Sequence, residues 1–179
     1  MIELRYAKGK LDGSKVGGYA ALFNTPSTTI REAGRTFTEV IRPGAFARSL
    51  QESPQDVKLL WQHKGDQILA RSRNGTLRLK EDAQGLAFEA DLPDTTLGRD
   101  LRSLLDSGTI SEMSFGFNVR KDEWSQGYSR RELVDVALAE VSLVIDGAYP
   151  QTTAALRSQG EDQWADRIRI KLSRNKING

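Results

Sequence analysis

Apolar and polar positions alternate with a period of two over most of the first 150 residues, which predicts strands buried on one face. The clearest runs are 15–23, 36–41, 57–61, 76–79, 86–90, 112–117 and 134–145. Asn74-Gly75 and the Asp82 to Gly85 stretch are turn signals, and the runs 76–79 and 86–90 between and after them read as a meander. Polar segments at 24–35 and 121–131 read as a threonine-rich loop and a mobile hairpin. A short helix is expected over 43–50, with Pro43 near its first turn and Phe46 and Leu50 on one face. The best helix spans 95–108, with Thr95 as N-cap, leucines at 97, 101, 104 and 105, and Gly108 as its stop. After Tyr149-Pro150 the alternation ends, and Trp164, Ile168 and Leu172 at four-residue spacing predict a basic amphipathic tail helix.

These elements predict a β-rich α+β chain: one β-barrel-like domain with peripheral helices, followed by the amphipathic tail. A closed barrel would remove exposed strand edges, and the pattern leaves barrel against sandwich open. The boundaries are 1–155 for the domain and 156–179 for the tail.

Composition narrows the chemistry. The 179 residues include 26 basic and 24 acidic side chains, a net charge of +2, and the excess lies in the tail. A near-neutral domain lacks the basic face that nucleic-acid binding requires, so no specific nucleic-acid partner is expected. Cysteine is absent and histidine occurs once, which excludes disulfides, thiolate chemistry and a multi-histidine metal site within one chain. No cofactor and no metal are expected. There is no signal-peptide stretch and no run near 18 apolar residues, so a soluble, cytoplasmic protein with no membrane partner is expected.

Three side chains stand out. In the strand Glu112 to Phe117, alternation puts Met113, Phe115, Phe117 and Val119 on the apolar side and Ser114, Gly116 and Asn118 on the other. Ser114 then faces solvent or a cleft, and Gly116 beside it leaves open space for a substrate chain. The bland alternative is an exposed strand serine. His63 follows Val57, Leu59 and Trp61 in the same alternation and is either a histidine capping the core edge or the general base for a serine hydroxyl. Glu140 lies in an apolar run, on a face shared with Val136, Leu138, Ser142 and Val144, where an unpaired carboxylate would cost several kcal/mol. Its partner is an arginine or the imidazole N–H. Base, nucleophile and acid on separate strands are the components of a serine hydrolase.

Several motifs, taken together, resemble the prohead protease family of tailed bacteriophages. They are Ile41-Arg-Pro-Gly-Ala-Phe46, Leu60-Trp-Gln-His63, Gly85-Leu86, the Gly108 to Phe117 stretch with Met-Ser114-Phe-Gly-Phe, and Leu138-Ala-Glu-Val-Ser-Leu-Val144. The likeness runs from about Gly17 to Ala155. It implies a fold shared with the herpesvirus maturation proteases, a β-barrel surrounded by helices with a His–Ser–His triad. Position by position it implies His63 as general base and Ser114 as nucleophile. The third position falls near Glu140, a carboxylate where the herpesvirus enzymes carry a second histidine, with Asp135 and Asp66 as competitors.

The herpesvirus enzymes also use an arginine in the loop after the third residue, whereas Ile145 to Pro150 holds none, which leaves backbone N–H groups such as that of Gly147 for the oxyanion. The resemblance further implies a serine endopeptidase inside the immature capsid in the host cytoplasm. Its partners would be the major capsid protein or its scaffolding segment, the scaffold protein, and the chain itself through autoprocessing or a homodimer. The rival readings are a non-catalytic β-barrel assembly protein of the capsid or tail, an esterase, and a nucleic-acid module. The esterase lacks support because Glu112 stands where a Gly-x-Ser-x-Gly elbow needs glycine.

Overall fold

The computed structural model describes residues 15–52, 56–149 and 152–156. Among the described residues ten strands and two helices follow in the order β1 (Lys15–Leu22), β2 (Ile30–Glu32), β3 (Arg35–Ile41), α1 (Ala47–Gln51), β4 (Lys58–Trp61), β5 (Lys64–Arg71), β6 (Leu77–Glu81), β7 (Gly85–Asp91), α2 (Thr96–Asp106), β8 (Glu112–Trp124), β9 (Arg130–Val144) and β10 (Thr153–Leu156). One sheet has the order β10-β1-β7-β6 and the other β2-β3-β9-β4-β5, with β8 added along β9. The sheets meet at two corners, through a parallel bridge between Phe23 and Ile41 and through Ala154 N–H donating to the Ser111 carbonyl. The result is the β-rich, barrel-like domain with helices outside that the alternation predicts.

Inward-facing residues of both sheets make one core. Val16, Ala20, Leu59, Leu86, Met113, Val141 and Leu143 are fully buried, each large aliphatic side chain stabilising the fold by about 1.5–3 kcal/mol. The helix α2 forms where the capping residue predicts, since Thr95 Oγ1 accepts the Gly98 N–H at 3.1 Å. It ends before Gly108, whose φ of +71° suits glycine.

Three expectations change and one holds. The segment 24–35 is not all loop, because Ala33 and Gly34 take positive φ and turn β2 back onto β3. Residues 64–71, unassigned by pattern, form β5, whose bulges against β4 break the period of two. The 121–131 segment is the expected hairpin, joining β8 to β9 with register shifts at Lys121 and Asp122, and Phe37 packs on Trp124 while Arg35 lies over Tyr128. After Tyr149 a further strand, β10, pairs with β1. Beyond Leu156, which belongs to β10, the proposed tail helix lies outside the described residues.

Candidate active site

The site is built on β9, the strand that lies between β8 and β4. Ser114 on β8 pairs with Ser142 on β9, which pairs with Leu60 on β4; one step along, Gly116 pairs with Glu140, which pairs with Lys58. Uniform alternation would place Glu140 on the apolar face of Val136 and Leu138. A register shift prevents this: Gly116 pairs with Glu140 but Phe117 pairs with Leu138, leaving Ala139 as an extra residue on β9. Past this bulge Val141 and Leu143 face the core, while Glu140 and Ser142 share the face of Ser114 and Gly116. The expected grouping of Glu140 with Val136 and Leu138 is therefore corrected by one inserted residue.

His63 is not on the strand. β4 ends at Trp61, and Gln62 and His63, with φ of +53° and +57°, form a two-residue turn closed by the Trp61–Lys64 pair. Such turns ordinarily use Asn or Gly, and each non-glycine residue in the left-handed region costs about 1–3 kcal/mol. β9 holds the turn in place. The Gln62 N–H donates to the Leu143 carbonyl at 2.9 Å, and the His63 N–H donates to Ser142 Oγ at 3.2 Å.

From this turn the imidazole reaches Glu140, with His63 Nδ1 2.6 Å from Glu140 Oε1. The other carboxylate oxygen accepts a hydrogen bond from Ser142 Oγ, also at 2.6 Å. The carboxylate is 14% exposed and the imidazole 46%, so the acid is sheltered while the ring faces outward. With Nδ1–H donated to Glu140, Nε2 is left as an acceptor, the tautomer a general base needs. Glu140 lies across Gly116: a Cβ at Gly116 would collide with Glu140 Oε1. The space expected above Gly116 for substrate is thus filled by the acid.

The competing carboxylates lie elsewhere. Asp135 sits 3.6 Å from Arg48 and 3.8 Å from Arg120, and Asp66 is exposed on β5. Ser114 is half-buried and lines a cleft of about 610 Å³ with Ile30, Phe37, Phe117, Val119 and Tyr149. Val119, expected in the core, is 40% exposed on that cleft. Among the described residues Ser114 Oγ has no hydrogen-bond partner, and none joins it to His63. The Gly147 N–H donates to Glu112 Oε2 at 2.8 Å, so the suggested oxyanion donor is engaged. Thr152 Oγ1 accepts the Met113 N–H at 3.0 Å, pinning the backbone just before Ser114.

A second ionic cluster borders the same cleft. Buried Glu39 accepts hydrogen bonds from Tyr149 Oη at 2.8 Å and from Arg131 at 3.2 Å. Burial pushes the Glu39 carboxyl above its ordinary 4.5, against the pull of Tyr149 and Arg131, and burial likewise pushes the Tyr149 phenol up. Among the described residues no cluster of three or more histidines and carboxylates could hold a metal, and no helix is long and apolar enough to cross a membrane.

Sequence reasoning missed Ser142 as part of the site. Its signal was available: a lone hydroxyl two residues beyond Glu140 in an apolar run, hence on the same face.

Three likenesses frame this geometry. Over 144 residues the chain is 29% identical to the prohead protease of Enterobacteria phage HK97, covering 79% of this chain and 59% of that protein. It therefore spans about three fifths of the length of the curated relative it matches. In fold it resembles the KSHV protease solved in complex with a hexapeptide phosphonate inhibitor, with a TM-score of 0.54, 12% identity, and 87% of this chain and 69% of that one covered. Residues 2–166 match the model of the caudovirus prohead serine proteases, and the chain belongs to that family.

Proposed function

We propose that the chain is a serine endopeptidase that cleaves the scaffold protein or the scaffolding segment of the major capsid protein inside the phage prohead. The observation that carries this reading is the 2.6 Å contact between His63 Nδ1 and Glu140 Oε1, built across Gly116 on the face that bears Ser114. Membership of the prohead protease family supports it independently.

In this reading Ser114 Oγ attacks the peptide carbonyl as His63 Nε2 takes its proton, giving a tetrahedral oxyanion and an imidazolium. Glu140, ionised and hydrogen-bonded to Nδ1–H, keeps the ring oriented and stabilises its positive charge without taking the proton. The imidazolium then protonates the amine as the C–N bond breaks and the acyl-enzyme forms. His63 then takes a proton from a water that attacks the ester carbonyl, and the imidazolium so formed protonates Ser114 Oγ as the C–O bond breaks and the carboxylic acid leaves. Autoprocessing of the chain belongs to the same proposal.

One observation favours a second reading. The hydrogen bond between Ser114 and His63 that proton transfer needs is not formed here, as in a barrel protein that keeps the fold without the chemistry. Catalytic contacts often tighten only around substrate. Intact mass against time, for the wild type and Ser114→Ala with co-expressed capsid protein, decides between the two readings. Capsid-derived or self-derived peptides lost only with the wild type are expected. Identical masses in assembled shells would support the non-catalytic protein.

A further inference from the structure

We infer that Ser142 is a positioning residue that ties the acid and the base to the nucleophile's strand; this deepens the peptidase reading and rests on it. Ser142 is fully buried, and its hydroxyl bonds two members of the site at once. Its proton goes to Glu140 Oε2 at 2.6 Å, and its oxygen accepts the His63 backbone N–H at 3.2 Å. With the His63 Nδ1–Glu140 Oε1 contact these bonds close a ring through three residues.

The buried hydroxyls of Ser27 and Thr152 behave differently. Ser27 Oγ donates to the Thr28 carbonyl, and Thr152 Oγ1 lies within hydrogen-bonding distance of the Met113 and Tyr149 carbonyls. Both spend their protons on the main chain, as residues that satisfy backbone do. Ser142 instead directs its proton at the carboxylate oxygen that His63 leaves unused. A carboxylate held by one oxygen can rotate about its last bond and carry the imidazole with it. One held by both oxygens is fixed in plane, and so is the ring it orients.

The register gives this bond its reach. Ser142 is the β9 residue paired with Ser114, and a serine side chain has a single carbon–carbon rotor. Its hydroxyl therefore fixes the height of the His63 turn above the strand pair that carries Ser114. Loss of the hydroxyl leaves the His63 N–H and Glu140 Oε2 without their partner, in a turn already strained at Gln62 and His63.

The test uses two readouts. The first is the rate at which a small fluorophosphonate modifies Ser114, followed by intact mass. Ser142→Ala is expected to slow it about 10- to 100-fold, the scale set by misplacing a reacting group, while Ser142→Thr stays within about threefold of wild type. The second is proton NMR in the Ser114→Ala background, which needs no activity and is unambiguous because His63 is the one histidine in the chain. There the His63 Nδ1–H resonance is expected to be sharp with Ser142 or Thr and lost to exchange with Ala.

In the otherwise unaltered Ser114→Ala chain, the His63 amide should exchange at least about tenfold more slowly than an unprotected amide. That measurement holds even if Ser142→Ala fails to fold. Unchanged labelling with an unmoved Nδ1–H signal in Ser142→Ala, or an unprotected His63 amide, would overturn the inference. Absence of labelling in wild type with the NMR results as expected would fault the peptidase reading alone.

Discussion

β9 carries a hydrogen-bonded carboxylate cluster near each end, and the two are built to opposite purposes. Near its start Arg131 donates to Glu39 on β3, which is 5% exposed at the side chain, and to Asp122 at 2.8 Å, and it lies over the Trp124 ring. Tyr149 completes the shell around Glu39, so the carboxylate, the cation and the phenol satisfy one another. Near the other end Glu140 is likewise saturated, by Ser142 and His63, but the His63 ring is nearly half exposed and keeps a nitrogen uncommitted. A network that uses every donor and acceptor holds structure together. One that leaves a single basic nitrogen at the surface can do chemistry.

Changing the acid is expected to have the largest effect. Glu140→Gln keeps the shape but supports the wrong imidazole tautomer, and turnover should fall about 10⁴-fold with little change in melting temperature. Peptide-cleavage rates and calorimetry on the same preparation check this.

At the opposite end the sign reverses. Glu39→Ala leaves Arg131 with Asp122 alone and Tyr149 Oη without its acceptor, and should cost about 1–3 kcal/mol of stability, measured by urea unfolding, while the folded fraction keeps its activity. A pH series sharpens the contrast. Because burial raises the folded-state pKa of Glu39, its contribution is fully present below the ordinary 4.5 and is lost as pH rises through the folded value. Wild type should therefore gain stability relative to Glu39→Gln as pH falls from neutrality towards 4.5.

Gly116→Ala should lower turnover about 100-fold, because a methyl group there displaces the Glu140 carboxylate from His63. The smallest effect is expected at Gln62→Gly, which relieves a positive φ and should stabilise the fold by about 1 kcal/mol or less. A loss of turnover there without loss of stability would show that the strained turn sets the position of His63.

Much of this was legible in the chain. Alternation marked most of the strands, Thr95 and Gly108 marked α2, and the motif resemblance singled out His63, Ser114 and Glu140. What remained hidden shares one physical cause: insertions and turns that reset a period of two. The Ala139 bulge moved Glu140 off the apolar face, and the Gln62–His63 turn took His63 out of its strand. The bulges of β5 hid that strand altogether. Side-chain occupancy was also invisible, since a glycine beside a nucleophile reads as open space until the neighbouring carboxylate is seen lying over it.

In the proposed mechanism the His63–Glu140 pair serves Ser114. The most direct measurement is peptide mapping after fluorophosphonate treatment of the chain co-expressed with capsid protein, beside a His63→Gln variant. A single adduct on the peptide containing Ser114, absent from the variant, is the predicted result. An adduct on another serine, equal labelling in the variant, or no adduct in assembled shells would contradict it.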